Sequence, residues 1–403
     1  MHVKINIAVV IITCMHLAKQ SIAGVTADNM TLHLEKTFLN YDTRVRPLVD
    51  DQSDAVDVEV DFHLLDFMLG VEKLETTAFL EISWTDQILA KQWHNAGVPE
   101  LMIPQSDIWL PDLALQNGFK TLSGLGNSFY NVKVNKEGKV TWRPYHVFNS
   151  ACTIDVTYFP FDKTTCDLKF IVWSNPKSLL KAHIKTGIIM DGFSPNSEWE
   201  VVSTTAVNVE TDTSTGVTFS IFMKRKPLFY LVNILIPVIM LAALNPFVFA
   251  LPASSGEKTG FAVTAFLAFA VFLTVISAEL PTTSDDISTF SAYLFITTFL
   301  SALISMVTIT ELRLFVRKDD VPIPLGIAKF TKTIRGMKLR TCCSKYGGYI
   351  RGLTIEEIKR RLDCDVTWSD VVDAIDFVLF WVFLFLIAAV TTACYYIAVK
   401  SAL

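Results

Sequence analysis

This sequence predicts a multidomain membrane protein: an extracellular all-β sandwich of immunoglobulin-like kind joined to a four-helix transmembrane bundle. Three observations carry that expectation. Between Val58 and Phe222 the chain runs in short alternating segments, such as Val58-Glu59-Val60-Asp61-Phe62 and Val217-Thr218-Phe219-Ser220-Ile221, with turn signals at Glu137-Gly138 and Pro195-Asn196. Period-two alternation broken by frequent turns marks half-buried strands packed as two sheets. Four uncharged stretches follow, at 227–256, 259–278, 288–310 and 377–399. Each reaches the ~20 residues that a helix needs to cross ~30 Å of hydrocarbon. Lastly, Arg313 to Asp363 holds 13 Lys/Arg against 5 Asp/Glu, a net +8 in a chain whose total is −5. A basic island between two apolar runs is where a cytoplasmic loop belongs.

The N-terminal region fits the same topology. Residues 1–23 predict a secretory signal peptide: His2 and Lys4 precede an apolar run from Ile5 to Leu17, and Ser21-Ile22-Ala23 offers small residues for cleavage. The extracellular domain is then 24–226. Leu32 to Tyr41 has helical apolar spacing and stops before Arg46-Pro47. Cys152 and Cys166 are the two cysteines between Gly24 and Pro227, and a pair alone in an exported segment most simply closes one disulfide. Asn29-Met30-Thr31 is a glycosylation sequon suited to that compartment. The first three spans occupy 227–315, with the second at 258–279; the fourth is 375–400, and 316–374 is a cytoplasmic linker. With the first domain exported, four crossings of the plasma membrane leave Leu403 outside.

Composition narrows the function. A hydrophobic fraction of 51% and a mean hydropathy of +0.40 are high for a soluble protein of this size. A net charge of −5 gives no reason to expect nucleic acid. No metal cluster, catalytic triad, phosphate loop or charged relay within the spans is evident, so neither an enzyme nor a cofactor is expected. The 7 His residues are scattered, two of them in the signal. Cys342-Cys343 lies among basic residues, where palmitoylation and an inert cytosolic thiol pair are both open.

The second span is patterned unlike the others. Gly260, Thr264, Leu267, Val271, Thr274 or Val275, and Ala278 recur every three or four residues and so share one helical face. That face is small and polar at its inner end, apolar in the middle, and begins at Glu257 and Lys258. Small residues also suit ordinary helix packing. A carboxylate at the mouth of an uncharged span favours a pore lining, because charged rings and apolar constrictions are what set selectivity and gating.

Taken together these residues resemble those of the Cys-loop receptors, and within them the nicotinic acetylcholine receptor branch. Cys152 and Cys166 enclose 13 residues, the length of that family's signature loop, and the tip Tyr158-Phe159-Pro160-Phe161-Asp162 is similar to its aromatic-Pro-Phe-Asp motif. Trp84-Thr85-Asp86, Ile108-Trp109-Leu110-Pro111-Asp112, Arg225-Lys226-Pro227-Leu228-Phe229-Tyr230 and Gly256-Glu257-Lys258 also look like family landmarks. The resemblance implies one subunit of a pentameric ligand-gated ion channel. Its partners would be four further identical or related subunits, a small-molecule agonist at the extracellular interfaces, permeant monovalent cations and membrane lipid.

The resemblance also implies roles. Phe159, Pro160 and Phe161 would rest on the linker after the pore helix, which holds Pro281, and Asp162 would pair with Arg225 at the top of the first span. That pair would couple the two domains; strand-end packing and a snorkelling arginine are the plainer roles. A ring of five Glu257 side chains would attract cations to the inner mouth. Anion-selective relatives carry a Pro-Ala insertion and lack the Glu at this point, where the chain reads Ser254-Ser255-Gly256-Glu257. Glu279, Asp285 and Asp286 would add negative charge at the outer mouth, and Leu267 aligns with the gate leucine.

The agonist site departs from the family pattern. Nicotinic relatives hold a cationic amine in a box of aromatic rings. Trp173 keeps the central ring, Phe79 stands in place of a Trp on the opposite face, and Gln116 in place of a Tyr. The tip at 208–215 lacks paired cysteines and any tyrosine. On the complementary side fall Lys133, Thr141 and Arg143, where an arginine fork suits a carboxylate; exposed charges on a sheet edge are the plainer reading of each. The expected agonist is therefore zwitterionic or anionic, unless the site is vestigial. The alternative function is an accessory subunit of a heteropentamer that binds no agonist.

Overall fold

In this computed structural model the described residues are 26–70, 72–93, 98–120, 124–279, 288–317, 321–345 and 366–402, without the side chains of 277–279, 337–345 and 401–402. The segment 1–23, Pro281, Asp285 and Asp286 fall outside the described residues, as do the side chains of Glu279, Cys342 and Cys343. The chain divides into two units. The first comprises 1–153, 165–196 and 201–223; the second comprises 154–164, 197–200 and 224–403.

The first unit is the expected β-sandwich. One sheet contains β1 (Val56–Leu69), β2 (Lys73–Thr85), β3 (Glu100–Pro104), β5 (Asn131–Asn135), β6 (Lys139–Trp142), β7 (Tyr145–Ala151) and β9 (Leu180–Ile189). Its order is β3-β5-β6-β2-β1-β9, with β7 also paired to β2. The other contains β4 (Leu113–Leu115), β8 (Lys163–Val172), β10 (Trp199–Glu210) and β11 (Thr215–Arg225), in the order β10-β11-β8-β4. The pattern of β2 shows why the strands layer: Leu74, Thr76, Ala78, Leu80 and Ile82 are buried while the residues between them are half-buried. Four rings join the layers. Phe62 of β1 lies 6.0 Å from Phe148 of β7, 6.2 Å from Phe170 of β8 and 5.3 Å from Phe219 of β11, and each such burial stabilises the sandwich by about 1.5–3 kcal/mol. β1 and β9 run parallel, so the sandwich is not wholly antiparallel.

Helix α1 spans Ala27–Thr37 rather than the 32–41 suggested by apolar spacing. Its start is set by a polar cap that periodicity does not register: the Thr26 hydroxyl accepts from Asn29 N, and Asp28 sits in the first turn. Helix α2 (Gln87–Gln92) is capped in the same way by Asp86, whose Oδ1 accepts from Leu89 N at 2.9 Å.

The second unit is helical: α3 (Leu228–Ala250), α4 (Lys258–Glu279), α5 (Thr289–Phe315), α6 (Leu325–Lys345) and α7 (Trp368–Ala402). Among the described residues, α3, α4, α5 and α7 each have the length and apolarity to cross a membrane. Three details differ from the sequence reading. First, α3 is not one regular helix: it has a π turn at Leu231–Leu235, ahead of Pro237, and a 3₁₀ segment at Asn245–Ala250 around Pro246. Each proline removes a backbone donor and obstructs the preceding turn, so the hydrogen-bond register shifts there. Second, α7 starts at Trp368, ahead of the apolar run, and takes in Asp370, Asp373 and Asp376. Third, α6 lies within the basic linker, where no apolar run announced a helix.

Candidate functional site

In the first unit, the residues read as an agonist site fall on different sheets. Trp173 follows β8; its backbone N–H donates to Asp112 O at 3.0 Å, and the residue is 58% exposed. Gln116 follows β4 and donates to Lys169 O at 2.7 Å. With Phe170, Val207, Val209 and Thr211 it lines a hollow of about 420 Å³ under the β10–β11 hairpin. The hairpin tip is tighter than the 208–215 segment: β10 runs to Glu210, Thr211 N donates to Ser214 O at 2.9 Å, and the Thr211 and Ser214 hydroxyls lie 2.9 Å apart. Hydroxyls, not rings, close this turn.

Phe79, Lys133 and Thr141 belong to the other sheet, and Arg143 follows its strand β6. Phe79 stacks on His63 of β1 with centroids 4.2 Å apart and an interplanar angle of 12°. Thr141 stands opposite Ser83 on one side and Lys133 on the other. Arg143 donates from Nε at 2.8 Å to Glu81 Oε2, and its terminal nitrogen lies 2.6 Å from the same oxygen. Lys133 Nζ lies 2.7 Å from Glu100 Oε1. Lys133 and Arg143 are exposed charges beside the sheet, and each faces a carboxylate from a neighbouring strand. Glu81 was missed, although it lies two residues from Phe79 and so on the same strand face. His63 sits 3.9 Å from Glu81, and partial burial holds its imidazole below the usual value while Glu81 draws it the other way. Among the described residues no hydrogen bond or ion pair links Trp173 and Gln116 to the Phe79 face.

Cys152 and Cys166 are disulfide-bonded, with Cα atoms 5.4 Å apart. The loop they close belongs with the second unit from Ile154 to Thr164. Within that unit Asp162 is buried, and its two oxygens accept from Arg225 Nε at 2.8 and 3.0 Å. The guanidinium also lies 4.3 Å from the Trp199 ring centroid and 5.4 Å from that of Tyr230. Phe159 packs on Tyr230 and Phe290, at 4.9 and 6.1 Å. Thr289 N and Oγ1 donate to Thr157 O at 2.9 and 2.8 Å. Pro160 and Phe161 line an apolar cavity of about 40 Å³ with Leu235, Ile239 and Tyr293. Among the described residues, then, the loop tip meets the starts of α3 and α5; a contact with Pro281 lies outside them.

On α4 the exposed residues cover a broad face, which contains the predicted stripe and also Phe261, Val263 and Phe266. Glu257 at its start, then Gly260, Thr264, Leu267, Val271, Thr274 and Val275, are exposed in the single chain. Lys258, Ala262, Ala265, Phe269 and Ile276 are buried on the other side. Gly256 precedes the helix at φ +72°, a left-handed conformation that glycine adopts without strain, and lets the chain turn into α4. Lys258 is fully buried, with Nζ donating to Glu311 of α5 at 2.8 Å and to Asp376 of α7. These three side chains form a buried ion cluster that the sequence analysis did not anticipate. Glu311 and Asp376 directly abut the uncharged runs 288–310 and 377–399.

Asn29 is exposed in the first turn of α1. Among the described residues no group of three or more His, Cys, Asp or Glu side chains is placed to hold a metal.

A sandwich bearing a disulfide-closed loop, ahead of four membrane-length helices, defines a class of membrane receptor channel. Residues 30–227 match the family model for the neurotransmitter-gated ion-channel ligand binding domain, and residues 234–322 match that for the neurotransmitter-gated ion-channel transmembrane region. The chain belongs to this family, the Cys-loop receptors, whose N-terminal domain is extracellular at the plasma membrane. It is similar to nicotinic subunits: 33% identical over 297 residues to the neuronal acetylcholine receptor subunit beta-4 of Rattus norvegicus, covering 71% of this chain and 59% of the relative. It is 33% identical over 303 residues to the acetylcholine receptor subunit alpha-L1 of Schistocerca gregaria, covering 70% and 54%. The acetylcholine receptor subunit delta of Rattus norvegicus is also 33% identical, over 317 residues, covering 72% and 60%. The chain thus spans between 54% and 60% of the length of these relatives.

Proposed function

We propose that this chain is one subunit of a pentameric, agonist-gated, cation-selective channel of the plasma membrane. The observation that carries the reading is the exposed stripe of α4, with Glu257 at its start and Leu267 and Val271 in its middle. Five copies around an axis would put a carboxylate ring at the inner mouth and an apolar constriction above it, giving cation preference and a gate that closes by excluding water. In this reading 24–226 is outside, 316–374 is cytoplasmic, and the C-terminal end is outside.

The agonist would bind between two subunits, since Trp173 and Gln116 sit at one sheet and Phe79, Thr141, Lys133 and Arg143 at the other. The relatives' names speak of acetylcholine, but Trp173 and Phe79 are what is left here of the aromatic box, and each lost ring removes about 0.5–2 kcal/mol of cation–π attraction. A zwitterionic or anionic ligand fits better: its acid would displace Glu81 from Arg143, and its amine or apolar part would meet Trp173. Strain at the interface would reach the spans through Asp162 and Arg225. The test is expression of the full chain alone, with current recorded during application of amines, amino acids, peptides and pH steps. Agonist-evoked cation current supports the reading. Surface protein that stays silent throughout, yet conducts when paired with a related subunit, would favour the accessory subunit suggested by the ring-free hairpin tip.

A further inference from the structure

Glu257 and Lys258 are adjacent, yet their side chains go to opposite environments: Glu257 is exposed and Lys258 is fully buried. Lys258 Nζ donates to Glu311 Oε2 at 2.8 Å, at the end of α5, and to Asp376 Oδ1 in the early turns of α7. It also lies 5.6 Å from the Phe249 ring centroid, in α3. All four spanning helices therefore meet at one ammonium. Burial of a lysine cation is strongly disfavoured unless acids face it. Its long stem would otherwise carry the charge out to water, and the water nearest the first turn of α4 is at the mouth that Glu257 occupies.

We infer that Glu311 and Asp376 are selectivity-determining positioning residues, which withdraw Lys258 from the pore mouth so that it does not cancel Glu257. The inference rests on the reading of Glu257 as the inner ring. With Lys258 released, each subunit would offer the mouth one carboxylate and one ammonium, and the ring's net charge would fall to zero. With Lys258 held, the ring keeps its full negative charge. The second acid gives the ammonium a further buried partner, and Glu311 Oε1 has no hydrogen-bond partner among the described residues.

The experiment compares full-length channels by reversal potential as external NaCl is diluted, in the Leu267→Thr background to obtain agonist-independent current. Glu311→Gln with Asp376→Asn is expected to lower cation-over-anion permeability to the level of Glu257→Ala, and adding Lys258→Met to that pair is expected to restore it. A purely structural role would leave the triple variant unrestored, which overturns the inference. So does a wild-type ratio in the double variant while Glu257→Ala lowers it. An unchanged ratio in Glu257→Ala itself removes the mouth reading, and the inference with it. A second measurement needs no current: Lys258 acetylation by a water-soluble amine reagent on purified full-length protein, read by mass spectrometry. Protection in the wild type and modification in Asp376→Asn are expected, and equal modification in both overturns the inference.

Discussion

Arg143, just after β6, faces Glu81 of β2, with Nε and a terminal nitrogen of the guanidinium 2.8 and 2.6 Å from one carboxylate oxygen. An arginine so matched is not a free anchor for a ligand. Its side chain is 63% exposed, although that of Glu81 is only 19% exposed. Water on the arginine side keeps the pair nearer the ~0.2–1 kcal/mol of surface pairs than the cost of a buried one. An incoming carboxylate can therefore exchange with Glu81 at little cost.

The first prediction follows from that exchange. Glu81→Gln frees Arg143, so agonists bearing a carboxylate should gain about two- to five-fold in potency, the factor that corresponds to breaking one exposed pair. Concentration–response curves for acid-bearing agonists provide the check. A loss of potency would show that Arg143 does not receive the acid.

His63 gives a pH dependence. Burial holds its imidazole below the ordinary value of 6.5, so the folded protein binds fewer protons there than the unfolded chain. That stability is complete above about pH 6.5 and is lost as pH falls through the lower, folded value. Melting of detergent-solubilised full-length protein should drop between pH 7.5 and 5.0, and less so for His63→Gln. An equal drop in both proteins would exclude His63 as the source.

Asp162 and Arg225 form a buried pair in the second unit. Removing one partner strands the other, at a cost of about 3–5 kcal/mol. Asp162→Ala should accordingly abolish surface protein, while Asp162→Ala with Arg225→Ala should recover part of it, as measured by surface biotinylation. Additive losses would mean that the two residues act independently.

Leu267 is 60% exposed on the α4 stripe. Leu267→Thr makes a five-fold apolar ring wettable, so agonist-independent current or a leftward shift in agonist sensitivity is expected. Conduction identical to wild type would remove Leu267 from the gate.

What could be read in the sequence followed from local pattern. Alternation in β2 and the uncharged runs of the spans declare themselves within a dozen residues. So do the Cys152–Cys166 loop with its Phe159-Pro160-Phe161-Asp162 tip and the exposed stripe of α4. What could not be read depends on partners far apart in the chain. Glu81 and Glu100 neutralise Arg143 and Lys133 only once strands pair, and Glu311 and Asp376 reach Lys258 only once three helices pack. The charges that bound the apolar runs looked like ends because hydropathy treats every carboxylate as wet. The early start of α1 was hidden likewise, in the Thr26 cap rather than in apolar spacing.

The central claim, that this chain lines a cation-selective pore with Glu257 at its mouth, is tested most directly by the reversal potential under external NaCl dilution in wild-type and Glu257→Ala channels. The wild type is expected to follow the sodium gradient, and Glu257→Ala to move toward the chloride equilibrium potential. A reversal potential that tracks chloride in the wild type, or one that Glu257→Ala leaves unchanged, would contradict the account.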